Sequence, residues 1–215
     1  MNAGTEKVVI AGPAGRIECA VDLPAVGASA AAFGTAVICH PHPQHGGTMD
    51  NKVVHTLARA FLQVGCKTVR FNFRGVGAST GMWDEGRGEL DDALAVIAHF
   101  RVTDQPWLLS GFSFGAYIAS QAAHTLSEDV KPSRLVLVGP STQRQVMPVV
   151  PADTVVVHGE VDDVVPLSAT LDWARPQNLP VIVLPGVGHF FHGQLARLRS
   201  VVVQQLQPIP AQLLL

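Results

Sequence analysis

The sequence is poor in cysteine, in charge and in long apolar runs. Its three cysteines, Cys19, Cys39 and Cys66, are an odd number with no C-x-x-C spacing, so reduced, packed thiols are expected rather than a zinc cluster or a disulfide framework. Only 15% of the 215 residues are charged, and 15 Lys and Arg stand against 17 Asp and Glu for a net charge of -2. With no run of like charge, phosphate-backbone binding would lack its electrostatic footprint, and nucleic acid is not an expected partner. No apolar stretch reaches the ~18 residues needed for a membrane span. The opening MNAGTEKVV lacks the basic-then-apolar layout of a secretory signal, so a cytoplasmic protein is expected.

What is present points to a folded α/β chain. Hydrophobic residues make up 47%, which argues against disorder. The length fits one α/β domain over residues 1–215, burying roughly 70% of its unfolded surface. Short apolar runs alternate with helical stripes. KVVIAG and RIECAVDLP straddle a Gly-Pro-Ala-Gly turn and predict an antiparallel edge hairpin. A charge-poor loop, Pro24 to Gly34, leads to TAVICH, an unbroken run typical of a central strand covered on both faces. Further strands are expected at KTVRFNF, PWLLSGF, RLVLVG, TVVVHG and PVIVLPG. Val54, Leu57, Ala58 and Phe61 share one helix face, as do Leu90, Ala93, Leu94 and Ile97. Glu89, Asp91 and Asp92 lie near the positive N-terminal end of that second helix, in a structural role. A last stripe from Gln194 to Leu206 precedes the tail PIPAQLLL. This order predicts a mostly parallel sheet of about eight strands with helices on both faces, whose ligands bind at the carboxyl ends of strands.

After the strand PWLLS comes Gly111-Phe112-Ser113-Phe114-Gly115, followed by the helix-compatible AYIASQAAHTL. G-x-S-x-G between strand and helix places Ser113 in a sharp, strained turn that pushes its hydroxyl outward. Glycine is needed at 111 and 115 because a Cβ there would collide with the adjoining strand or helix. The Phe114 N–H and the helix dipole would then face the oxygen that turns negative when Ser113 attacks a carbonyl.

On these residues the chain resembles the α/β-hydrolase superfamily over nearly its whole length. The resemblance implies an α/β-hydrolase fold and the chain order serine, acid, histidine. His158-Gly159-Glu160-Val161-Asp162-Asp163-Val164-Val165-Pro166 is similar to the family's H-G-x-x-D-x-x-V-P, which selects Asp162 with Asp163 as the alternative. Gly186-Val187-Gly188-His189-Phe190-Phe191-His192 resembles the loop carrying the catalytic histidine, implying His189, with His192 as the alternative. The family's loop after the third strand gives the second oxyanion N–H. Pro41 and Pro43 have none, which leaves His42 or Gln44, and alignment with the usual His-Gly favours His42.

His40, His42 and His45 form H-x-H-x-x-H, but Pro41 and Pro43 interrupt them and no acidic ligand lies close until Asp50. No metal site is therefore expected, and the Ser113 chemistry calls for no cofactor. Arg74-Gly75-Val76-Gly77-Ala78-Ser79-Thr80-Gly81 misses the dinucleotide fingerprint, which needs glycine where Thr80 stands. Arg74 reads instead as a cation bracing a loop beside the pocket.

Only Ser141 to Ala152 separates the RLVLVG and TVVVHG strands, too little for the helical lid of many relatives. The chain thus resembles the small, lidless bacterial serine hydrolases of the dienelactone-hydrolase-like and prolyl-peptidase-like branch, with serine where the dienelactone type has a thiol. The expected function is cleavage of small carboxylic esters or thioesters through an acyl-enzyme, with Met82, Trp83, Met147 and Phe190 as candidate substrate walls. The alternatives are a peptidase or amidase, or a hydrolase fold kept as a binding protein.

Overall fold

A computed structural model describes residues 4–25 and 34–206. Most of the charge-poor loop before the TAVICH strand, and the PIPAQLLL tail, lie outside the described residues. The strands are β1 (Glu6–Gly12), β2 (Gly15–Asp22), β3 (Thr35–Cys39), β4 (Lys67–Phe71), β5 (Trp107–Phe112), β6 (Arg134–Val138), β7 (Val155–Gly159) and β8 (Val181–Leu184). The helices are α1 (Lys52–Gln63), α2 (Arg87–Phe100), α3 (Phe114–Thr125), α4 (Leu167–Ala174) and α5 (Leu195–Leu206). The eight strands form one sheet in the order β1-β2-β4-β3-β5-β6-β7-β8. β1–β2 and β2–β4 are antiparallel, and every pairing from β4 to β8 is parallel.

Alternation along the strands sends side chains to two separate cores. Ala36 and Ile38 of β3, with Val136 and Val138 of β6, meet Val54, Leu57 and Phe61 of α1 and Leu198 and Val202 of α5. Val37 and Cys39, with Leu135 and Leu137, meet Ala93 and Ile97 of α2 and Ala119 and Ala123 of α3. Cover on both faces explains why the middle strands read as unbroken apolar runs. All three cysteines are free and buried, and burial raises each thiol, to about 12 for Cys19 and Cys66.

The KTVRFNF strand ends two residues earlier than its apolar run. Asn72 N–H still donates to the Glu18 carbonyl of β2 at 2.9 Å, but Phe73 N–H donates to the His40 side chain, at Nε2, at 3.1 Å and so leaves the ladder. Helix α4 escaped the periodicity reading because it has only eight residues. Among the described residues no helix is long and apolar enough to cross a membrane.

The chain winds from β3 through α1 to β4, then returns through α2 to β5 on the other side of β3. The carboxyl ends of β3 and β5 thus border the point where the strand order reverses, the usual place for a ligand crevice in an open α/β sheet.

Candidate active site

Ser113 follows β5 directly and has φ 57° and ψ -119°, a conformation that side chains strongly disfavour. Its neighbours enforce it. A Cβ on Gly111 would strike the backbone of Gly115 and Ala116, and one on Gly115 would strike the carbonyls of Cys39 and His40. Ser113 N–H donates to the Val138 carbonyl at 2.9 Å, tying the bend to the end of β6.

Three polar side chains from three loops meet there. His189 Nε2 lies 3.0 Å from Ser113 Oγ, and His189 Nδ1 lies 2.7 Å from Asp162 Oδ2. A carboxylate only accepts, so Nδ1 carries the proton and Nε2 is free to accept from the serine hydroxyl. Asp162 Oδ1 accepts from the N–H groups of Val164 at 2.9 Å and Val165 at 2.7 Å. Burial pushes the Asp162 carboxyl up, but the hydrogen bonds from His189, Val165 and Val164 outweigh it and hold it below the usual range. Of the paired alternatives, Asp163 is exposed, and His192 is exposed and stacks on Phe190 with ring centroids 5.8 Å apart.

A second buried histidine supports the acid from behind. The Val165 carbonyl only accepts, so His158 Nε2 carries a proton and donates to it at 2.9 Å, while Nδ1 accepts from Thr170 Oγ1 at 3.2 Å. Burial lowers His158 and keeps it neutral. The sequence reading used His158 only to align the motif, and missed this support for the turn that feeds Asp162 its N–H groups.

Phe114 opens α3, where its N–H has no intrahelical acceptor. At the end of β3, Gln44 N–H donates to His42 Nδ1 at 3.2 Å, whereas His42 N–H has no acceptor among the described residues. Gly47 lets this loop close, since its N–H bonds the His42 carbonyl at 3.0 Å and a Cβ would overlap Pro41. His40 points the other way. Its Nδ1 donates to the Pro41 carbonyl at 2.6 Å and its Nε2 accepts from Phe73, so both nitrogens are committed to joining the ends of β3 and β4.

A cavity of about 320 Å³ opens over Ser113, and His42, Phe114, His189 and Phe190 line it. Three of the four expected wall residues stand elsewhere. Thr80 Oγ1 donates to the Ala14 carbonyl at 2.7 Å and accepts from Arg16 N–H at 2.7 Å, which draws the 74–81 loop toward the β1–β2 hairpin and leaves Met82 83% exposed. Met147 packs into the core beside Ser120 of α3. Trp83 sits behind the wall, with its ring 4.5 Å from that of His42 and 5.1 Å from that of Phe114. Arg74 is a brace. Its Nε and Nη2 donate to the two oxygens of buried Asp92 at 3.0 and 2.8 Å, and its N–H adds a third bond at 2.9 Å. Glu89 accepts from Gly86 N–H at 2.8 Å at the start of α2. Asn51, Ser141, Arg144, Gln145, Val164 and Val165 complete much of the lining. Ser141, Arg144 and Gln145 follow β6 and Asn51 precedes α1 after β3, the two strands flanking β5, whereas Val164 and Val165 follow β7.

This arrangement can move a proton from a hydroxyl to an imidazole beside a cavity that Phe114 and His42 help to line. Known proteins are similar throughout. A serine hydrolase from Xanthomonas campestris, described as an α/β hydrolase without a lid, is 34% identical over 98% of this chain and 99% of its own, with a TM-score of 0.89. An α/β serine hydrolase homologue from Coxiella burnetii is 39% identical over 94% of this chain and 97% of its own, with a TM-score of 0.82. A stretch of 89 residues, 40% of this chain, is 44% identical to a Rickettsia prowazekii protein and spans 37% of that relative's length. Residues 32–169, more than half of the chain, match the family described as serine aminopeptidase, S33, so the chain is a hydrolase of α/β-hydrolase fold that belongs to this family.

Proposed function

We propose that the chain works as one domain over residues 1–215, cleaving small carboxylic esters or thioesters through an acyl-enzyme on Ser113. The observation that carries this reading is the continuous path from Ser113 Oγ through His189 to Asp162, at 3.0 and 2.7 Å, ending in the cavity. His189 takes the Ser113 proton as the oxygen attacks the carbonyl, and Asp162 fixes its tautomer and stabilises the imidazolium. The N–H groups of Phe114 and His42 hold the oxyanion. Collapse expels the alcohol or thiol, which takes the proton from His189. Water, activated by the same imidazole, then releases the acid and restores Ser113.

An ester is favoured over an N-terminal peptide by the charge of the lining. An aminopeptidase must hold a protonated α-amino group, and Arg144 on the cavity wall would repel it. The buried, reduced cysteines accord with a cytoplasmic setting.

Labelling with a fluorophosphonate probe is the test. The native protein should react at Ser113, and Ser113→Ala should not. Turnover of p-nitrophenyl butyrate should fall by ~10⁶ in that variant. Asp162→Asn should cost ~10⁴, with Asp163→Asn near native. A folded native protein that resists the probe would instead be a binding protein built on this fold. Faster release from p-nitroanilides than from esters would favour an amidase.

A further inference from the structure

The segment Ser141–Ala152 between β6 and β7 contributes a wall of the cavity. Ser141, Arg144 and Gln145 line the cavity. The segment is tied down along its length. Gln145 N–H donates to the Ser141 carbonyl at 3.1 Å, Gln121 Nε2 of α3 donates to the Val146 carbonyl at 3.3 Å, and the Trp173 indole of α4 donates to the Pro148 carbonyl at 3.0 Å. Val150 N–H donates to Gln177 Oε1 at 3.1 Å. The backbone that carries Arg144 is therefore held, although the residue itself is exposed.

The lining divides by chemistry. Val164, Val165 and Phe190 come from the loops after β7 and β8 and are apolar. His42, His45 and Asn51 from the β3 side, with Arg144 and Gln145 after β6, are polar or cationic. Among the described residues no aspartate or glutamate lines the cavity and no carboxylate pairs with Arg144. Arg144 is near enough to His42 that, after burial and His45, it helps to hold that ring below the usual histidine range. A guanidinium fork on a cavity wall without a counter-ion matches a carboxylate or phosphate oxygen pair.

We infer that the ester cleaved at Ser113 carries an anionic group, which Arg144 binds on the β3–β6 side of the cavity while an apolar portion lies against Val164, Val165 and Phe190. This rests on the reading of Ser113 as nucleophile. Arg144 is then a specificity-determining residue, and the substrate is an acidic ester or thioester rather than a neutral lipid.

The test compares p-nitrophenyl butyrate with two anionic esters, p-nitrophenyl hemiglutarate and 4-butyryloxybenzoate. For each anionic ester the quantity read is its kcat/KM relative to that of the neutral ester. In Arg144→Gln at least one ratio should fall about tenfold from native, the size of a lost charged hydrogen bond. Arg144→Lys should retain part of it, since lysine keeps the charge and loses the fork. A fall for hemiglutarate alone puts the anion on the acyl group, and a fall for the benzoate alone puts it on the leaving group. Ratios within twofold of native for both esters overturn the inference. If folded native protein turns over none of the three, the hydrolase reading fails separately. Calorimetric binding of glutarate and 4-hydroxybenzoate to the Ser113→Ala protein then decides. A tenfold loss for either on adding Arg144→Gln supports the anion site, and equal binding of both overturns it.

Discussion

Gly115 lies against the carbonyl oxygen of Cys39, so the first turn of α3 rests directly on the end of β3. That contact brings the Phe114 N–H and the His42 loop to one side of Ser113. Glycine to alanine inside a helix normally stabilises by up to about 1 kcal/mol. Here the sign should reverse. Gly115→Ala should destabilise by about 1–3 kcal/mol, because the added methyl meets backbone on another strand. Urea unfolding midpoints would show it, and a stabilised variant would refute the close approach.

The His42 backbone offers a clean test of the second oxyanion donor. Its φ of -52° and ψ of 121° suit proline, so His42→Pro deletes the N–H at little conformational cost. His42→Ala removes the same ring and keeps the N–H. Proline should lower kcat on an activated ester ~10²-fold relative to alanine. Equal rates for the two variants would move the donor elsewhere.

Acid should weaken the fold through His40 well before the carboxylates titrate. Burial holds this ring down to about 4, and protonating Nε2 would break its bond from Phe73 N–H. The unfolded histidine titrates near 6.5, so only the unfolded chain gains the proton as pH falls from about 6.5 to 4. Stability is therefore full above that window and declines through it, by up to about 3 kcal/mol for His40 alone. His42, His55 and His158 are lowered as well and steepen the decline. Unfolding free energies measured from pH 7.5 to 4.5 should show this slope, and His40→Gln should reduce it by about one proton.

Arg74 and Asp92 form a nearly buried pair, with side-chain exposures of 12% and 1%. Asp92→Asn leaves a guanidinium facing a neutral amide and should cost about 3 kcal/mol. Replacing both, as Arg74→Met with Asp92→Leu, should recover much of the loss. Chemical denaturation of the single and double variants measures the coupling.

Local pattern carried much of the fold. β5 and the Gly111–Gly115 turn were legible because a strand run, two glycines and a helical stripe all agree locally. The Arg74 brace was legible because its loop departs from a nucleotide-binding pattern. Of the expected wall residues only Phe190 lines the cavity. Met82 and Met147 look like substrate contacts by composition, but Thr80 draws one loop toward the β1–β2 hairpin and α3 takes the other side chain into the core. The partners, Ala14 for Thr80 and Ser120 for Met147, stand 66 and 27 residues away.

The sequence by itself determined the order of the strands and of every helix but α4, the sharp bend at Ser113 and a short set of acids and histidines, because each depends on side-chain period or on backbone freedom within a few residues. Only the tertiary structure decided that Asp162 rather than Asp163 reaches His189, that His40 ties two strands together, and that Arg144 faces the cavity. Each of these is a contact between segments 27 or more residues apart or a choice between adjacent side chains. The sheet's twist and the packing of its loops make that choice, and no local propensity encodes it.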